Sequence, residues 1–140
     1  TRGPQGLEQL DVLQQEGVDP GRVAIAHSGF FPRHRYHSEI AKRGAYVSFD
    51  RMGNLKSDNE FNRGRSLRLL KELLDQDFEK NILFSHDICY TTDYATYGGP
   101  GYDFLSTLGL PLLREEIGLT EEQFNTIMVE NPRRFLTGEG

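Results

Sequence analysis

The sequence lacks the features that define several classes of protein. Its 140 residues include no tryptophan and a single cysteine, Cys89, so no disulfide can form within the chain. No apolar run is long enough to cross a bilayer, and no cationic leader precedes an apolar core at the start. The net charge of -5 disfavours nucleic acid as a partner. These absences predict a soluble, cytoplasmic protein that binds a small molecule, with neither membrane nor nucleic acid as partner.

A glycine-rich phosphate-binding loop is also missing. The segment 98–101, with sequence GGPG, follows the nearest apolar strand too late and leads into no clean helix N-terminus. This disfavours a nucleotide-binding, doubly wound domain. An unrelated α/β protein with purely structural polar residues at its strand ends remains an alternative.

Short apolar segments alternate along the chain with stretches of helical periodicity. The expected strands are residues 23–26, 45–49 and 81–84, and the expected helices are residues 7–16, 37–43, 67–78, 105–117 and 120–128, with one last short helix capped by Asn131 and Pro132. This alternation predicts an α/β fold built from parallel βαβ units. Three parallel strands leave two sheet edges open, and a closed eight-stranded barrel needs about 250 residues. We therefore expect residues 1–140 to form a single incomplete domain.

All three expected strands end in ionisable side chains. His27 follows the first strand, Asp50 and Arg51 follow the second, and His86 and Asp87 follow the third. The carboxyl ends of parallel strands lie on one face, where α/β proteins build their active sites. Each residue alone could cap a helix or bond neighbouring backbone. Their occurrence at all three strand ends favours a site.

Histidine and aspartate are ligands of zinc and similar divalent ions, which make a bound water nucleophilic near neutral pH. A catalytic zinc normally has three protein ligands, so His27 and Asp87 alone are too few. Further candidates are His34, His37 and Cys89. We expect His34 to be solvated, His37 to lie near a helix N-cap, and Cys89 to be a packed or half-buried thiol.

Four segments together resemble the phosphotriesterase family in their order and spacing. They are VAIAHS at 23–28, RGAYVSFDR at 43–51, ILFSHD at 82–87 and VENPRRFL at 129–136. The likeness spans nearly the whole chain, and it is closer to the lactonase-like branch because Arg51 follows Asp50. The resemblance implies the C-terminal part, about the last three βα units, of a (β/α)8 TIM barrel of the amidohydrolase superfamily.

The resemblance also implies roles for individual residues. His27 is similar to a ligand of the more exposed of two divalent metals, and Asp87 to a ligand of the more buried one. The family's aspartate at the position of Asp87 is also the catalytic base that receives the proton of the attacking hydroxide. Asp50, Arg51 and Tyr90 resemble substrate-binding residues, although a loop-anchoring salt bridge explains Arg51 equally well. Zinc is the expected metal, with cobalt, manganese and iron as alternatives.

The implied activity is hydrolysis of lactones, and promiscuously of phosphotriesters, by a metal-activated hydroxide. The alternatives are hydrolysis of phosphorylated sugar lactones and ligand binding without catalysis. Four of the family's six metal ligands have no counterpart in the sequence, so we expect the 140 residues alone to be inactive and the complete protein to be the enzyme. The resemblance also allows a homodimer of the complete protein.

Overall fold

A parallel three-stranded sheet lies at the centre of the chain, with β1 at Ala24–Ile25, β2 at Tyr46–Phe49 and β3 at Ile82–Phe84. β2 is the middle strand, and it pairs in parallel with both neighbours. The computed structural model describes residues 5–31, 33, 35–56 and 60–138. The three predicted parallel strands are confirmed, each one or two residues shorter than the apolar run that encodes it.

Helices connect the strands and cover the sheet. They are α1 at Gln5–Gln15, α2 at Tyr36–Lys42, α3 at Glu60–Leu74, α4 at Leu110–Ile117, α5 at Glu121–Asn125 and α6 at Asn131–Thr137. Helix α2 links β1 to β2, and α3 links β2 to β3, so both connections are the crossovers that parallel strands require. Among the described residues, no helix is long and apolar enough to cross a membrane.

The hydrophobic core lies between the sheet and these helices. Val47 of β2 and Ile82 of β3 are fully buried, and α3 contributes a run of leucines, among them Leu70 and Leu73. Burying one such side chain stabilises the fold by about 1.5–3 kcal/mol. This core fixes the sheet, and the sheet fixes where each strand ends.

Helix α3 differs from the helix predicted at 67–78. It begins at Glu60 and ends at Leu74, and Phe78 lies beyond it. Asp77 adopts a left-handed conformation, with φ at 61°, and the Phe78 amide bonds back to the Leu73 carbonyl. Phe78 therefore packs against the core from beyond the end of α3. Its spacing from Leu74 matches the helical period, so the sequence pattern extends past the last residue of the helix.

The predicted cap at Asn131 is wrong. A π-helical segment, Thr126–Glu130, runs directly into α6, and Glu130 and Asn131 both have helical backbone angles. The fully buried Asn131 amide instead donates to the carbonyls of Glu79 and Ile82, at 2.7 Å each. Asn131 thus ties α6 to the start of β3. The capping box predicted at Thr120 is confirmed.

Candidate active site

His27 lies two residues beyond β1, in a turn that leads into the short 3-10 segment Ser28–Phe30. Its backbone is left-handed, with φ at 58°, a conformation that costs on the order of 1 kcal/mol outside glycine. The Ser28 hydroxyl donates to the Ile25 carbonyl at 2.7 Å, and the His27 amide donates to Asp50 Oδ2 at 2.6 Å. These bonds hold the bend at the carboxyl end of the strand.

The carboxylate of Asp50 also orients the His27 ring. His27 Nδ1 lies 3.1 Å from Asp50 Oδ1, and because an ionised carboxylate can only accept, Nδ1 carries the proton. The Asp50 side chain is only 12% exposed, whereas the His27 side chain is 43% exposed. Nε2 is therefore the ring nitrogen left to bind a ligand. This carboxylate to histidine pairing is typical of metal-binding histidines.

Arg51 connects the ends of β2 and β3. Its Nε lies 3.5 Å from Asp87 Oδ2, and its guanidinium lies over the Phe30 ring at 5.2 Å from the centroid. The His27 ring meets the same phenylalanine edge-on, at 6.3 Å between centroids. One chain of contacts thus runs from His27 through Phe30 and Arg51 to Asp87. His27 meets Asp50, and Arg51 meets Asp87, while the catalytic and metal-binding roles of these residues stay predictions.

Asp87 and Arg51 line a cavity of about 180 Å³ between the loops that follow β2 and β3. Lys56 and Asp93 contribute further charges to its wall. Small-molecule pockets usually measure about 300–1,000 Å³, so these residues form part of a pocket rather than a whole one.

The loop after β3, which carries Tyr90, is organised by the Asp93 carboxylate. Asp93 accepts hydrogen bonds from the backbone amides of Tyr90 at 2.8 Å and Cys89 at 3.0 Å, and these bonds lower the pKa of Asp93. Lys56 donates to the Gly99 carbonyl at 2.9 Å, which joins the loops after β2 and β3. The Tyr90 side chain is exposed at this rim, and its substrate-binding role stays a prediction.

His86 lines the same cavity as Arg51 and Asp87, but its ring also makes a contact that fixes it to the following helical segment. Its Nε2 accepts a hydrogen bond from the Leu105 amide at 3.1 Å, and its ring lies edge-on to Phe104. Burial lowers the pKa of His86, with a smaller opposing effect from Asp103, which favours the neutral acceptor. This histidine anchors the start of the helical segment before α4.

Two of the additional metal-ligand candidates, His37 and Cys89, lie within the described residues. His37 is buried behind the His27 turn and bonds the Ser28 carbonyl. Cys89 is exposed, so the prediction of a packed or half-buried thiol is wrong. Partial desolvation and the carboxylates of Asp87 and Asp93 raise the pKa of the Cys89 thiol, which disfavours the thiolate that metals bind. His34 lies outside the described residues.

The described part of the chain contains no group of three or more histidine, cysteine and acidic residues that could hold a metal. Imidazole and carboxylate are ligand types that divalent ions bind, and the assignment of His27 and Asp87 as ligands stays a prediction. Phe30, Lys56 and Asp93 were not predicted from the sequence. For Asp93 a local signal existed, since an acidic side chain at the third position of a helical turn reaches back to the amide of the cap residue, here Tyr90; for Phe30 there was none.

The fold and the strand-end residues define an α/β chain that corresponds to the C-terminal part of a (β/α)8 TIM barrel. The chain belongs to the Phosphotriesterase family, whose profile matches residues 1–136. It is 34% identical to the aryldialkylphosphatase of Saccharolobus solfataricus, in an alignment covering 94% of this chain and 44% of that protein.

Two solved structures are similar in both sequence and fold. A lactonase from Listeria monocytogenes is 29% identical with a TM-score of 0.81, over 96% of this chain and 41% of that one. A resiniferatoxin-binding protein from Rhodobacter sphaeroides is 30% identical with a TM-score of 0.78, over 96% of this chain and 39% of that one. The chain thus spans well under half the length of these relatives.

Proposed function

We propose that the complete protein is a metal-dependent hydrolase that cleaves lactones and, promiscuously, phosphotriesters. The observation that carries this proposal is the His27 ring, whose Nδ1 is occupied by Asp50 and whose Nε2 is left on the more exposed side. Asp87 follows β3 at the same edge of the sheet and contacts Arg51, which follows β2. The similarity to an aryldialkylphosphatase and to a lactonase supports this choice of substrates.

His27 and Asp87 would hold the metals, with the remaining ligands supplied by parts of the protein outside this chain. Imidazole nitrogen and carboxylate oxygen are a donor set that suits zinc. Divalent ions of this kind, when bound, polarise a carbonyl or phosphoryl oxygen and lower the pKa of water toward neutrality.

Four residues of this chain would then have separate roles in the reaction. Asp87 accepts the proton of the attacking water, because its carboxylate lines the cavity in which the substrate would lie. Arg51 pairs with that carboxylate and offers hydrogen-bond donors to a lactone oxygen. Asp50 fixes the ring of His27, and Tyr90 contacts the substrate from the rim.

Asp87→Asn in the complete protein tests the proposal. The amide keeps the shape of the side chain and cannot accept a proton, so we expect kcat to fall by about 10²–10⁴-fold. The matched control is Asp11→Asn, which changes an exposed carboxylate of α1 paired with Arg43 and leaves turnover unchanged. An Asp87→Asn protein that keeps wild-type turnover of lactones would contradict the proposal.

A non-catalytic binding protein is the second candidate, because the chain is 30% identical to a resiniferatoxin-binding protein. Such a protein would have no lactone turnover to lose, and Asp87→Asn would leave its ligand affinity intact. Phosphorylated sugar lactones are the alternative substrates, because Arg51 and Lys56 both line the cavity. Comparing kcat/KM for a lactone with and without a phosphate group distinguishes the two substrate classes.

A further inference from the structure

The buried imidazole of His37 lies directly behind the turn that carries His27. His37 is the second residue of α2 and only 4% exposed, and its Nε2 lies 2.7 Å from the Ser28 carbonyl oxygen. A carbonyl can only accept a hydrogen bond, so Nε2 is the protonated nitrogen. Helix α2 thereby donates a short hydrogen bond to the residue that follows His27.

The same ring also contacts the end of β2. It stacks on Phe49 at 6.3 Å between centroids, with 27° between the planes, and meets Tyr36 edge-on at 5.2 Å. Phe49 immediately precedes Asp50, whose carboxylate holds His27. One buried side chain therefore touches the residue after His27 and the residue before Asp50.

The turn needs such support because His27 is left-handed and Ser28 is almost completely buried. Among the described residues, the Ser28 carbonyl also accepts from the Phe31 amide at 3.3 Å, a longer bond within the turn itself. Water has little access to replace a lost donor at a position that is 1% exposed. An apolar residue in place of His37 would remove the hydrogen bond that α2 donates to this turn, and would leave the Asp50 contact and the Arg65 bond to the Phe30 carbonyl.

We propose that His37 is a positioning residue: its Nε2–H bond to the Ser28 carbonyl, together with its stacking on Phe49, keeps His27 and Asp50 in register at the site. The proposal rests on the proposed function only in that His27 matters there as a ligand. His37 itself does not need to touch substrate or metal.

Hydrogen exchange of residues 24–31 in the complete protein tests this role. In His37→Met, which keeps an apolar side chain of similar bulk and removes the donor, we expect exchange of this segment to accelerate about tenfold. Exchange of residues 69–74 in α3 should change by less than about twofold, since the effect is local. His37→Gln, whose amide can donate from a similar position, should restore exchange to within about threefold of wild type.

Ser38→Ala is the matched control, because it removes a partly buried hydrogen bond of α2, from Ser38 Oγ to the Arg35 carbonyl, without touching the turn. It should leave exchange of residues 24–31 unchanged. Equal acceleration of residues 24–31 and 69–74 in His37→Met would mean a general loss of stability and would overturn the proposal. No acceleration, or no rescue by His37→Gln, would overturn it as well.

If His37→Met does not fold, the wild-type protein still decides the question. Nitrogen-15 NMR of its histidines should find the His37 Nε2–H tautomer with a slowly exchanging proton, and an Nδ1–H tautomer would overturn the proposal. In a hydrolase, His37→Met should lower kcat with little change in KM. If wild type hydrolyses nothing while the exchange pattern holds, the proposed function fails and the positioning role of His37 stands.

Discussion

Asp50→Asn directly tests whether the Asp50 carboxylate orients His27. The Asp50 carboxylate is 12% exposed and accepts two hydrogen bonds from one residue, the His27 amide at 2.6 Å and Nδ1 at 3.1 Å. Asparagine has the same shape, but its amide has only one accepting oxygen. Its NH₂ group must therefore face one of the two N–H donors of His27.

The expected size of the effect follows from this geometry. Losing one hydrogen bond to a charged, largely buried acceptor costs about 1.5–3 kcal/mol. A factor of ten in affinity corresponds to about 1.4 kcal/mol, so metal affinity should fall by roughly 10- to 100-fold. Losses of about 10- to 100-fold are also typical when the hydrogen-bond partner of a metal-binding histidine is changed.

The assay is metal affinity of the complete protein, measured by competition with a chelator of known affinity. Asp75→Asn is the matched control, because Asp75 is an exposed carboxylate of a surface pair with Lys71. It should alter stability by no more than about 0.5 kcal/mol and metal affinity not at all. If folded Asp50→Asn binds metal within about twofold of wild type, the inference that Asp50 orients a metal ligand is wrong.

Three further predictions concern the surroundings of the site. Gly99→Ala places a Cβ 2.3 Å from the Asp93 carbonyl group, so the loop after β3 must open and the free energy of unfolding should fall by about 1–3 kcal/mol. Gly64→Ala has open space in α3 and should raise the free energy of unfolding by about 0.5–1 kcal/mol. Urea denaturation compares the two variants. Asn131→Ala removes the side-chain donor to the carbonyls of Glu79 and Ile82 and should cost about 2–4 kcal/mol in the same assay. A loss below about 1 kcal/mol would contradict the inference that Asn131 ties α6 to β3. Burial lowers the pKa of His37 from its usual 6.5, so below pH 6.5 the unfolded chain binds a proton that the native chain does not. The free energy of unfolding should therefore fall as the pH drops below about 6.5, by up to about 1.4 kcal/mol per pH unit. His37→Gln should make this pH dependence weaker.

The sheet could be predicted from the sequence because its signal is local. The segments around Ala24, Val47 and Ile82 are apolar runs of four or five residues, each closed by polar residues, and the helices between them require parallel pairing. The strands are shorter than the runs because only residues with a neighbour across the sheet form the ladder.

Helix ends were less predictable because distant contacts decide them. Phe78 fits the apolar period of α3, yet it packs on the core from beyond the helix. The pair Asn131-Pro132 reads as a helix start, since proline is tolerated in a first turn. In the structure the preceding π-helical segment continues through it, and the asparagine bonds carbonyls about fifty residues earlier in the chain.

The direction of the strand-end side chains could not be predicted either. His27 and His86 both follow a short apolar strand, and nothing in their immediate sequence separates them. His27 meets Asp50, 23 residues later, whereas His86 accepts from the Leu105 amide, 19 residues later. Only the packed loops decide which partner each ring meets. The spacing of the residues did not distinguish His27 from His86 as a candidate metal ligand, whereas the resemblance to the phosphotriesterase family did.

Backbone strain gives an independent reason to single out His27 and Asp87. Among the described residues, the non-glycine residues with positive φ are His27, Arg35, Asp77 and Asp87. Asp77 lies just beyond the end of α3 and Arg35 just before α2, so both serve a helix boundary. His27 and Asp87 instead follow the two outer strands, and each costs on the order of 1 kcal/mol that glycine would avoid. Glycine would form the same turns at a lower cost, yet both positions carry an ionisable side chain. This is expected where the side chain has a function that glycine cannot provide.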